Sequence, residues 1–203
     1  MPDLIIAYLA DLDRALAFDP ALALRVHDEI EDHLLTAVET ASEQDVVARF
    51  GDAAQIARSY AAAGWANRLR GAWLAAFGLL AATFVLMRGR ALLLDLPFGS
   101  GDIMAWLDRT ALFAGLVCVA VAGVLAWQTR FATVDARIRV LLHGGCAALI
   151  LSIAASLMWA LPLAAGGLPT ALVAASAAIE LTLTAFLLRQ LNRLGSYADC
   201  IAA

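Results

Sequence analysis

The sequence predicts an all-α protein, a small acidic domain of three to four short helices followed by a four-helix transmembrane bundle. Three observations predict it. Of 203 residues, 63% are hydrophobic and 16% charged, with a mean hydropathy of +0.80. Soluble domains run at roughly 45–50% apolar and about 25% charged, so lipid must cover the excess. Charge is also divided: residues 1–62 hold twelve acids and four Arg, a net of −8, whereas residues 63–203 hold ten Arg and six acids, a net of +4. Finally, apolar residues recur at helical spacing in the first part and run on for span lengths in the second.

The acidic part, residues 1–62, carries clear helix punctuation. A first helix over Leu4–Phe18 puts Ile5, Tyr8, Leu9, Leu12 and Leu16 on one stripe. Asp19-Pro20 then supplies an N-cap and a proline suited to a first helical position. The second helix, Pro20–Ala41, repeats Leu22, Val26, Ile30, Leu34 and Val38 every fourth residue. Ser42, with Asp45 three on, opens a short third helix ending at Gly51, and Asp52 caps a fourth over Ala53–Ala63. A domain of this size buries only a small core, so it is expected to lean on a partner, on a second copy as a homo-oligomer, or on the membrane. Its acidity excludes nucleic acid as a partner, because phosphate contacts need basic side chains.

After a linker at 63–68, four stretches reach the roughly 20 residues needed to cross a bilayer: about 69–87, 110–127, 140–163 and 168–188 within a domain of residues 69–193. Trp73, Trp106, Trp127 and Trp159 fall near span ends, where interfacial aromatics belong. With the N-terminus inside, the inner flanks hold Arg68, Arg70, Arg130, Arg137, Arg139, Arg189 and Arg193, and the outer loops only Arg88, Arg90 and Arg109. Both termini are therefore expected in the cytoplasm, with residues 194–203 as a tail. The outer loop contains a turn, "DLPFGSGD", and the uncharged "PLAAGGL" at 162–168 is expected to close spans three and four into a tight hairpin. The acidic N-terminus lacks the basic n-region of a signal peptide, so insertion is expected to use the internal spans.

Chemistry has few footholds. Cys118, Cys146 and Cys200 are scattered and form no Cys-x-x-Cys pair. The stretch "RVHDEIEDHLLTAVE", residues 25–39, concentrates two histidines and five acids. On a helix, His27 and His33 point about 120° apart, so they cannot chelate one ion together. Each has a glutamate one turn away, Glu31 and Glu29, but a Glu–His pair supplies two ligands where zinc or iron takes three or four. No metal, no cofactor and no catalytic residue is expected: there is no nucleophile–base pair, oxyanion-hole loop or phosphate-binding glycine motif, and hence no enzyme. Asp28, Asp32 and Glu39 lie opposite the apolar stripe, as a solvated face does. Glu180 is the exception in the spans, about 12 Å deep from the cytoplasmic end. An intramembrane acid is functional by default. Its expected partners are His143, as an intramembrane polar pair, or Ser152 or Ser156; Gly144, Gly145, Ala174 and Ala178 allow close helix approach.

Three segments carry a resemblance: "YLADLDRAL", the second helix with Glu29, Ile30, His33 and Leu34, and "VVARFGDAAQIARSY" with Phe50, Gly51 and Asp52. Over about 60 residues they resemble the HAAS-type signalling domain, also described as permease-prefix-like and PadR-associated. The typical Glu-Ile-x-x-His-Leu run is present, and Arg49-Phe50-Gly51-Asp52 matches the Phe-Gly-Asp-Pro run except that Ala53 replaces the proline. The resemblance implies a bacterial inner-membrane signalling protein. Its cytoplasmic domain would dock a cytoplasmic protein partner, a PadR-like transcription regulator or a sigma factor in an anti-sigma-like role, and Glu29, Ile30, His33, Leu34, Phe50, Gly51 and Asp52 are the motif and docking candidates. His33, at the border of the stripe, is expected to fix helix packing. Two alternatives compete: a transporter accessory subunit or permease-like component, which would need a polar path and an internal repeat, and a membrane scaffold without regulatory output.

Overall fold

The computed structural model describes residues 3–93, 103–163 and 168–202. Among them every regular element is a helix: α1 (Asp3–Ala15), α2 (Pro20–Val38), α3 (Glu43–Phe50), α4 (Ala53–Leu93), α5 (Ile103–Gln128), α6 (Ala136–Leu163) and α7 (Leu168–Ala202). The turn expected at 95–102 and the centre of the 162–168 hairpin lie outside the described residues. The chain divides into two units, residues 1–66 with 193–203, and residues 67–192.

The first unit follows the sequence punctuation closely. Asp19 caps α2, accepting from the Leu22 amide at 3.3 Å, with Pro20 at the start of the helix. Ser42 caps α3 by accepting from the Asp45 amide at 3.3 Å. Gly51 ends α3 with φ at +81°, a left-handed region that suits glycine. Glu43 reaches from α3 to accept from the Ile5 amide at 2.8 Å, satisfying one of the open donors in the first turn of α1. The core joins Ile5, Tyr8, Leu9, Leu12 and Leu16 to Leu22, Val26, Ile30 and Leu34, with Val46, Ala57, Ala61 and Trp65.

Two boundaries differ from the sequence expectation. Residues 63–68, read as a linker, are helical, because α4 runs without a break from Ala53 to Leu93. The charge boundary there coincides with no helix breaker stronger than Gly64, and a lone glycine is tolerated within a helix. A Cβ at Gly64 would sit 3.2 Å from the Tyr197 ring, so the absent side chain makes room for that ring. Residues 194–203, read as a tail, continue α7 to Ala202 and belong to the first unit. Leu194, Tyr197 and Ala198 are buried there. Tyr197 donates to the Asp19 carboxylate at 2.7 Å and meets the edge of Phe18 at a centroid distance of 5.0 Å.

The second unit contains four helical segments, each from a helix long and apolar enough to cross a membrane. Its outward positions include Leu74, Phe77, Phe84, Phe113, Ile150 and Phe186, all exposed. That is the surface lipid requires, since a helix face with no polar groups has no reason to meet water. Trp106 and Trp127 are also exposed, at 64% and 77%. Trp73 is used differently: its indole donates to the Val119 carbonyl at 2.9 Å and stacks on Phe77, so it fastens α4 to α5. The side chain of Trp159 lies outside the described residues.

Candidate functional site

The α2 motif residues separate into two roles. Ile30 and Leu34 are buried in the first unit's core, while Glu29 and His33 are exposed. Glu29 lies near Tyr60 of α4, whose phenol is pushed up first by burial and then by this carboxylate, with Arg25 acting the other way. His33, expected to fix packing, makes no hydrogen bond or ion pair among the described residues and stands on the open face of α2. The correction has a simple cause: a position about 60° from the stripe centre is buried only where a neighbouring helix overhangs it. His27 is the histidine that binds across helices. Its Nδ1 lies 2.9 Å from Asp13 Oδ2 of α1 and its Nε2 is 3.7 Å from Glu31. The expected His33–Glu29 contact is absent among the described residues, whereas that of His27 with Glu31 is present.

Two residues of the second half of the motif, Gly51 and Asp52, share one hollow, and Phe50 is not among those lining it. Gly51 and Asp52 line an open hollow of about 500 Å³ with Tyr8, Asp11 and Arg14 of α1 and Ala53 and Ala54 of α4. Asp52 accepts from the Ala54 amide at 3.1 Å, capping α4. Arg14 donates to Asp11 at 2.6 Å. Tyr8 is 7% exposed and its hydroxyl has no hydrogen-bond partner among the described residues. Burial, and then the nearby Asp52 carboxylate, push the Tyr8 phenol above its ordinary range, so it stays protonated at neutral pH.

The second unit holds a buried polar network that the sequence reading found only in part. Glu180 is fully buried, and its partner is Arg90 of α4 and not His143. His143 is exposed, and its Nδ1 sits 2.8 Å from the Arg139 carbonyl. A buried carboxylate is stabilised most by an opposite charge with several donors, and the guanidinium supplies them. Arg90 donates through Nη2 to Glu180, through Nη1 to Ser156 Oγ at 2.6 Å and through Nε to Ser176 Oγ at 2.8 Å. A second buried acid, Asp108 of α5, accepts from Ser152 at 2.6 Å. Arg90 and Asp108 were missed because both lie close to loops. The signal for them was the stripe: Leu69, Ala72, Ala76, Thr83, Met87 and Arg90 recur at helical spacing, as do Ala105, Asp108, Leu112, Gly115 and Val119. Among the described residues no group of three or more His, Cys, Asp or Glu is arranged to hold a metal ion.

Compared with known proteins, residues 7–59 match the HAAS family model. No curated protein and no solved structure matches the chain.

Proposed function

We propose, from the match of residues 7–59 to the HAAS family model, that this chain is a non-enzymatic, membrane-anchored regulatory protein of the bacterial inner membrane, both termini in the cytoplasm. Its acidic helical domain holds and releases a cytoplasmic regulator, a PadR-like transcription factor or a sigma factor. The family match carries this reading. The exposed acids Asp28 and Asp32 of α2, with Glu39 just past its end, add a negative face suited to a basic one on the regulator. The buried network supports an anchoring role for the spans in preference to transport. All three guanidinium nitrogens of Arg90 are engaged within the bundle, as they are where polar side chains hold helices together.

The test is purification of the tagged full-length chain from its native membrane, followed by identification of what accompanies it. The expected companion is a transcription regulator or sigma factor, released by salt because the contact is charge-driven. Recovery of a transport ATPase alone would overturn the reading in favour of an accessory subunit.

A further inference from the structure

We propose that the hollow between α1 and the α3–α4 turn is where the domain takes hold of an arginine side chain on its protein partner. The inference rests on the docking reading above and names the chemistry of that docking.

One observation independent of the family match points to a ligand. The Tyr8 hydroxyl is buried and unpartnered on a side chain that lines the hollow, and such groups are normally satisfied. Beside it, exposed Asp52 uses Oδ1 for the Ala54 amide. Asp11 likewise engages one oxygen, on Arg14. The hollow therefore offers acceptor positions on Tyr8, Asp11 and Asp52, with two carboxylates against one guanidinium, in a domain that is itself strongly acidic.

The same inventory argues against an anion. The amides at the start of α4 are what an anion would seek, but Asp52 already caps them, and Arg14 is held by Asp11. What is missing is a multivalent donor. A guanidinium carries five N–H donors in a planar fork and bridges several acceptors at once, whereas an ammonium is a compact point charge. Gly51 keeps one wall low: its backbone lies at φ +81°, and a Cβ there would meet nothing within 4 Å. Gly51 and Asp52 thus build one side of a receptor for a basic side chain, with the glycine shaping the turn and the aspartate serving as both cap and acceptor.

The test uses the full-length chain in lipid nanodiscs, with amide resonances of Gly51 and Ala54 as reporters. The probes are the tripeptides acetyl-Gly-Arg-Gly-amide and acetyl-Gly-Glu-Gly-amide. The arginine peptide is expected to give saturable shifts, and Asp52→Asn, which keeps a capping side chain, and Tyr8→Phe are each expected to weaken it at least threefold while the fold persists. An equal response to the glutamate peptide, or unchanged binding in both variants, would overturn the proposal. Co-purification separates the two readings. A regulator that still accompanies Asp52→Asn overturns the arginine pocket and leaves the regulatory role standing. Saturable arginine binding without any regulator on the unaltered chain upholds the pocket's chemistry and overturns the regulatory role.

Discussion

Arg90 and Glu180 show what a charge requires inside a bundle of apolar helices. Each is nearly or fully buried, at 2% and 0% side-chain exposure, and the cost of removing both from water is offset by their pairing and by Ser156 and Ser176. Removing one partner strands the other. Arg90→Ala is therefore expected to destabilise the bundle by about 3–5 kcal/mol, measured by reversible unfolding in mixed micelles. The double change Arg90→Met with Glu180→Leu should recover most of that loss, because similar-sized apolar side chains need no partner. A double variant as unstable as the single one would show that the charges matter beyond their pairing. Glu180 was legible in the sequence as a lone acid within an apolar run. Its partner was not, because Arg90 sits where a positively charged span end is the ordinary reading, and only its place on the Leu69–Met87 stripe marks it as inward-facing.

At the scale of elements, glycines set how closely α5 and α6 approach. A Cβ at Gly145 would fall 2.9 Å from Val119 and 3.4 Å from the Gly115 carbonyl, so both helices are bare at their contact. Gly144 was expected to share this role, but it is exposed and its added Cβ would meet only Cys118, at 3.9 Å; Ala174 and Ala178 are exposed as well. Composition shows that small residues are plentiful and cannot show which of them face a neighbour. Gly123 matters for α4: a Cβ there would lie 2.4 Å from the Trp73 indole nitrogen, which donates to Val119. Gly123→Ala is expected to displace that ring and cost about 1–3 kcal/mol, the range for overpacking a close contact. Indole fluorescence of a variant retaining only Trp73 would report the change. The α5–α6 connection holds a different kind of constraint. Arg130 and Phe131 both adopt left-handed backbone, at φ 52° and 62°, and the Phe131 amide reaches the Ala126 carbonyl at 2.7 Å to close the helix end. The sequence offered no sign of it, since neither residue favours that conformation.

For the whole molecule, the chain order is not the order of its units. The charge division near residue 62 falls close to the division between the two units after residue 66, because both charge balance and hydropathy change there. It could not reveal that the last turns of α7 complete the acidic domain, because "LGSYADCIAA" is too short and mixed to announce a partner on its own. Deleting residues 193–203 removes buried Leu194, Tyr197 and Ala198 and the hydrogen bond to Asp19. Loss of an aromatic core side chain alone costs about 3–5 kcal/mol, so the truncated chain should be cut rapidly by protease within residues 1–66 while the span segments survive. Equal protease resistance with and without the last eleven residues would show that the domain stands without them. The most direct test of the proposal that the acidic domain holds a cytoplasmic regulator is photo-crosslinking in the native host from a reactive residue placed at Ala54, beside the motif, or at Phe113, on the exposed face of α5. Position 54 is expected to trap a transcription regulator or sigma factor, and position 113 is not. A trapped transport subunit at position 54, or no regulator from that face, would contradict it.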